Sequence, residues 1–320
     1  MDTPQTQPIM DISTRIAAKY AHALTTGALK LTDTVAQRVT APGSGIPCVV
    51  SFAPSLANKP ERPRTSKVTP RPDPFADPCE DLTVLRDLHG DGQYMLLLNK
   101  FPVIPEHVLV VTREYRTQTE PLNAADLAAA HSLVSQLDTQ TPGSRHVAFY
   151  NCGPASGSSQ DHKHLQLFRL PAGFVPYQER QLDPQESSIY PPFAHVTVPL
   201  PLQPSGDDLA SLYNSSLGTA CGASTPSANA AKTQETDATT APGPAPSHNV
   251  LLTRTFMTVV PRSAASTTVT DARGRAHVLG VNATGYLGLL LCKSDETYTA
   301  LCAEPGLIDQ ALRQCAQPPL

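Results

Sequence analysis

Apolar side chains in this chain fall into short, dense runs separated by polar turns. The runs Gln93 to Asn99 and His107 to Thr112 are almost continuously apolar, which predicts strands lying centrally in a sheet and covered on both faces. Only the short segment 100–106 joins them, so an antiparallel pair is expected. Val147 to Tyr150 begins another strand, Pro47 to Phe52 reads as one more, and 249–254 with 257–262 repeat the strand-loop-strand rhythm. Helical spacing shows at Ile12, Ile16, Tyr20 and Ala23 within 9–31, and again from Leu122 to Leu137. The run 280–290 reads as an apolar helix ending near Lys293. Antiparallel strands with helices between them predict an α+β fold, one compact unit built from two related halves.

Two stretches break this rhythm. Residues 54–78 combine many prolines with Lys59, Arg62, Arg64, Lys67 and Arg71 and cannot form regular structure, which favours a solvated linker over a loop leaning across a phosphate chain. Residues 205–247 are rich in Ser, Ala, Thr, Gly and Pro and read as a mobile insertion. The expected division is therefore 1–204 as an N-terminal half with the chemistry, 205–247 as the insertion and 248–320 as a C-terminal half. A net charge of −4 implies no basic surface of the kind that binds nucleic acid broadly. The seven cysteines include no Cys-x-x-Cys pair, which suits reduced thiols and argues against a structural zinc site. No apolar run approaches the ~18 residues of a membrane helix, so a cytoplasmic or nuclear location without membrane contact is expected.

The segment His162-Lys163-His164-Leu165-Gln166 carries the most chemistry. Alternate residues of a strand share a face, so His162, His164 and Gln166 should project together while Lys163 and Leu165 face the other way. The Gly/Ser run 153–159 ahead of them can turn backbone N–H groups and hydroxyls toward an anion. A neutral imidazole beside a phosphate cradle can attack phosphorus, forming a phosphoramidate that divides one hard transfer into two easier ones. From the pattern alone, paired histidines on a strand are also compatible with metal ligands or a solvated polar face.

Several longer motifs accompany this strand: Asn58-Lys59-Pro60, the stretch Leu98 to His107, Tyr150 to Gly153, Ser156 to Gln166, Asn249 to Arg254, and Gly280-Val281-Asn282 with Lys293. Through them the chain resembles the fungal diadenosine tetraphosphate phosphorylases, or ATP adenylyltransferases, of the histidine-triad and galactose-1-phosphate uridylyltransferase superfamily. The resemblance covers about 48 to 318. It implies a histidine-triad-like antiparallel sheet with flanking helices, and a reversible reaction of diadenosine tetraphosphate with inorganic phosphate to ATP and ADP through an adenylylated histidine. The nucleophile it implies is His164. Gln166 stands where hydrolase branches have a third histidine, which is associated with transfer to phosphate rather than to water, and His162 becomes a positioning residue. For the polyphosphate it points to Lys59, Asn99, Lys100 and Asn151, to the loop residues Gly157, Ser158, Ser159 and Gln160, and to Lys293. Gly280, Val281, Asn282 and Leu289 would border the nucleotide end. No tightly bound cofactor is expected; Mg²⁺ would travel with the polyphosphate oxygens, and a monomer is expected.

Physically, His164 must be neutral and held in one orientation, with one ring nitrogen donating to a backbone carbonyl and the other facing phosphorus. Gln166 cannot move a proton at neutral pH, but its amide can donate to a phosphate oxygen. The rivals on the same fold are sugar-1-phosphate uridylyl transfer and dinucleotide hydrolysis; a sensor of dinucleoside polyphosphates without turnover is the rival from another class.

Overall fold

A computed structural model describes residues 11–54, 72–183, 189–222 and 245–319. Lys59, most of the basic proline-rich stretch and residues 223–244 lie outside the described residues. In chain order the elements are α1 (Ile12–Thr26), β1 (Val35–Thr40), β2 (Pro47–Phe52), β3 (Thr83–Leu85), β4 (Tyr94–Leu98), β5 (Val108–Thr112), α2 (Ala124–Gln140), β6 (His146–Cys152), β7 (His164–Arg169), α3 (Tyr177–Gln181) and β8 (Val196–Pro199). There follow α4 (Gly206–Ala220), β9 (His248–Leu252), β10 (Phe256–Pro261), β11 (Ser266–Thr270), β12 (Ala276–Gly280), α5 (Ala283–Leu287), β13 (Leu289–Cys292), α6 (Asp295–Ala303) and α7 (Gly306–Cys315).

An eight-stranded antiparallel sheet in the order β3-β4-β5-β7-β6-β9-β10-β8 dominates the fold. The expected β4–β5 pair is present, with Leu97 opposite Leu109. Both faces of the sheet are covered, which is why its strands read as unbroken apolar runs. On one face Leu96, Val110, Leu165 and Val250 pack with Ile16 of α1, Leu127 and Leu133 of α2, and Leu209 and Tyr213 of α4. The opposite face presents Met95, Leu97, Leu109 and Val111 in one cluster and Val147, Phe149, Phe168 and Leu251 in another. A third core joins the small sheet β1-β2-β13 to α6, α7 and the β11–β12 hairpin.

Two expectations are corrected. Within 205–247, residues 206–220 form a helix: Ser205 and Asp208 make a reciprocal capping box, and Leu209, Tyr213, Ser216 and Ala220 fall on one buried stripe. The small polar residues around that stripe disguised it as low complexity. The run 280–290 is not one helix but the short α5 followed by β13. Gly288, at φ 97°, turns the chain out of the helix, and a Cβ there would meet the Pro47 carbonyl at 2.5 Å. The next residues then pair in parallel with β2, Leu289 opposite Val49.

Candidate active site

Strand β7 lies between β5 and β6, with His164 opposite Val111 and Gln166 opposite both Leu109 and Phe149. His162 precedes the strand and makes a single bridge to Thr117. The alternation expected for an extended segment holds. The ring of Phe75 lies 5.7 Å from His162 and 5.3 Å from His164, whereas Lys163 passes to the helix-covered face and pairs with Asp126 at 2.6 Å.

His164 is held from several sides. Its backbone N–H donates to Gln118 Oε1 at 2.8 Å, and Gln118 Nε2 donates back to the His164 carbonyl at 3.2 Å. Its ring Nδ1 donates to the His162 carbonyl at 2.8 Å. Burial pushes the imidazole down to about 4, so near pH 7 the ring is neutral. With the Nδ1 proton committed to a carbonyl, Nε2 keeps its lone pair, and the ring lines a cavity of about 810 Å³. His162 is itself anchored at both nitrogens, through Nδ1 to Asp73 at 2.6 Å and through Nε2 to the Thr112 carbonyl at 2.8 Å.

The Gly/Ser loop is stitched to the far end of the chain. Gly157 adopts φ 84°, and a Cβ there would come within 3.0 Å of the Val281 carbonyl and the Asn282 side chain. The buried guanidinium of Arg262 donates to the carbonyls of Ser156 at 3.2 Å and Val281 at 2.8 Å, and also to Asn249 Oδ1. Asn151 belongs to this framework. Its Oδ1 accepts from Asn249 Nδ2 at 2.8 Å and from the backbone of Ala283 at 3.0 Å.

The residues singled out from sequence separate into three groups. His164, Gln166, Asn99, Lys100, Ser159 and Gln160 line the cavity. Gly157, Ser158, Gly280, Val281 and Lys293 line an adjoining cleft of about 1220 Å³, and Asn282 and Leu289 border both. His162 and Asn151 sit 3% and 2% exposed and line neither. The Asn151 carboxamide oxygen is taken by two protein donors, which fixes the orientation of its side chain.

Sequence reasoning missed His107, Asp73, Gln118 and Arg262. His107 lines the cavity with its Nε2 buried and unpartnered, and Asn99 Nδ2 lies 3.4 Å from its Nδ1. Burial pushes its imidazole down to about 4. Its place at the head of β5, two residues before Leu109 on the same face as Gln166, was legible from strand alternation. The contacts of Asp73, Gln118 and Arg262 are long-range and left no local signal.

Residues 3–181 match the Ap4A phosphorylase N-terminal domain, and residues 190–318 match the ATP adenylyltransferase C-terminal domain. The chain belongs to the Ap4A phosphorylase family. It is 38% identical over 327 residues to diadenosine 5',5'''-P1,P4-tetraphosphate phosphorylase 2 of Saccharomyces cerevisiae, covering 96% of this chain and 95% of the relative. Protein APA1 of the same yeast is 37% identical, with coverage of 96% and 95%. The crystal structure of yeast Ap4A phosphorylase Apa2 superposes with a TM-score of 0.79 at 36% identity, over 98% of this chain and 99% of that one. The structure of Apa2 in complex with Ap4A gives 0.77 at 35% identity, over 98% and 99%. The family implied by the sequence motifs and the α+β fold expected from the strand and helix pattern are those observed.

Proposed function

We propose that this chain is a nucleotidyltransferase that catalyses the reversible phosphorolysis of diadenosine tetraphosphate to ATP and ADP. His164 Nε2 attacks the α-phosphorus of one adenosine, the bond between that phosphorus and the bridging oxygen breaks, and ATP departs with the electron pair. An oxygen of inorganic phosphate then attacks the adenylylated His164, releasing ADP and restoring the neutral ring. The observation that carries this reading is the commitment of Nδ1 to a carbonyl, which keeps the other nitrogen of a neutral, buried imidazole available at the cavity wall.

The Gln166 amide donates to a non-bridging oxygen of the reacting phosphate. Asn99, Lys100, Ser159 and Gln160 take the adjoining phosphates, with Gly157, Ser158 and Lys293 extending the track into the cleft. Lys59 joins them on the strength of the family motif. Apolar walls from Leu97, Phe149, Phe168 and Leu289 suit a nucleoside. No tightly bound cofactor enters the scheme. Mg²⁺ would be carried by the substrate's own oxygens, which it binds while keeping several of its waters. A reducing cytoplasmic or nuclear setting fits the seven free thiols, and a monomer is the proposed working state. Among the described residues no helix is long and apolar enough to cross a membrane.

The test is incubation of purified protein with diadenosine tetraphosphate, with and without phosphate, and chromatography of the nucleotides. ATP and ADP formed only with phosphate support the proposal. ATP and AMP formed without phosphate make water the acceptor and overturn the role given to Gln166.

A further inference from the structure

Asp73 stands near the end of the basic proline-rich stretch, yet its carboxylate oxygens reach His162 beside the proposed nucleophile and the Phe75 backbone. Oδ2 accepts from His162 Nδ1 at 2.6 Å, while Oδ1 accepts from the backbone N–H of Phe75 at 2.9 Å and closes a local turn. That turn sets the Phe75 ring against both imidazoles, 5.7 Å from His162 and 5.3 Å from His164. His162, 3% exposed, cannot rotate without losing either Asp73 or the Thr112 carbonyl. The carbonyl of His162 in turn takes the Nδ1 proton of His164 at 2.8 Å. One carboxylate therefore steadies the reactive ring by two routes, a hydrogen-bonded one through His162 and a packed one through Phe75.

We propose that Asp73 is a positioning residue for adenylyl transfer, fixing through His162 and Phe75 the orientation in which His164 Nε2 meets phosphorus. The inference rests on His164 being the nucleophile. An outer partner of a working histidine matters because a ring rotated by a few tens of degrees aims its lone pair away from the line of attack. Asp73 itself lines neither the cavity nor the cleft, so its removal takes away no direct substrate contact and is expected to leave fewer bound complexes ready to react. The effect belongs in kcat rather than KM.

The experiment measures single-turnover adenylylation, trapped as radiolabelled AMP on the protein, and steady-state phosphorolysis for wild type, Asp73→Asn, Asp73→Ala, His162→Phe and the double variant Asp73→Ala/His162→Phe. Asp73→Ala is expected to slow adenylylation about 10- to 100-fold, the usual consequence of removing an outer partner of a functional histidine, with KM for the dinucleotide within about threefold. Asp73→Asn, which keeps one acceptor oxygen for two donors, should fall between it and wild type. In the His162→Phe background the hydrogen-bonded route is already cut and only the packed route through Phe75 remains, so adding Asp73→Ala should cost less than it does alone. Full multiplicative losses in the double variant, or a KM rise that accounts for the whole defect, would overturn the proposal. So would wild-type adenylylation by both Asp73 variants. If Asp73→Ala does not fold, Asp73→Asn with the matching double variant makes the same comparison. Absence of trapped AMP on wild-type protein would instead remove the nucleophile reading itself, and the inference with it.

Discussion

On the helix-covered face of the strand bearing the histidines, Lys163 and Asp126 are fully buried and paired with each other. Asp126 accepts from Lys163 Nζ at 2.6 Å, Tyr94 Oη at 2.8 Å, the Asn123 backbone at 2.9 Å and Arg116 at 3.2 Å, while Lys163 also donates to the Pro121 carbonyl at 2.7 Å. On the cavity face, one residue further along, His164 is buried to a similar degree but uncharged, with one ring nitrogen left uncommitted at the wall. Burial is shared, so burial does not make a group reactive. Mutual charge pairing suits the Lys163–Asp126 cluster to a structural role, and the lone pair left on the His164 ring is what the proposed nucleophile requires.

The sharpest way to break this contrast is at His164. His164→Asn should lower phosphorolysis by about 10³-fold or more while the protein stays folded by circular dichroism; retained turnover would end the nucleophile assignment. Lys163→Met should do the reverse. It strands the Asp126 carboxylate and should cost about 3–5 kcal/mol in urea unfolding, with activity of the folded fraction largely kept. An equal stability in Lys163→Met would show the ion pair to be dispensable. Next in size is Gln166→Leu, with kcat expected to fall about 100-fold as a lost transition-state donor does and KM little changed.

The effect of pH is spread over three histidines. His107, His164 and His248 are all pushed down to about 4, chiefly by burial. The unfolded chain takes up these protons below about 6.5 and the folded one only near 4. Stability is therefore full above pH 6.5 and is lost as the pH falls toward 4, by about 1.4 kcal/mol per histidine per pH unit. Urea unfolding at pH 7 and pH 5 measures this. Initial rates should likewise hold down to about pH 5, and an acid limb centred at 6.5 would contradict the neutral buried ring.

The contrast between the two faces was legible in advance because strand alternation is local: 162, 164 and 166 against 163 and 165. The β4–β5 pair and α2 were equally legible, their apolar periods being long and clean. Misreadings arose where a distant partner decides the outcome. Nothing near Leu289 announces that it pairs with Val49, some 240 residues earlier in the chain. Helix α4 hides its buried stripe among serines and threonines, and its capping box lay at the edge of a stretch that looked structureless. The motif that picks out Asn151 did not announce that its oxygen also brackets Asn249 and Ala283, because a motif names a residue and leaves open how its side chain is bonded.

The pairing of β6 with β9 has a bearing on how the protein is made. A nascent chain that has reached residue 204 already contains the strand bearing His164, but its β6 is an unclaimed sheet edge, apolar and hydrogen-bond hungry, until 248–252 emerges to claim it. The ribosome must add more than forty residues during that interval, most of them polar and poor in strand-forming side chains. That composition gives the exposed edge nothing wrong to capture while it waits.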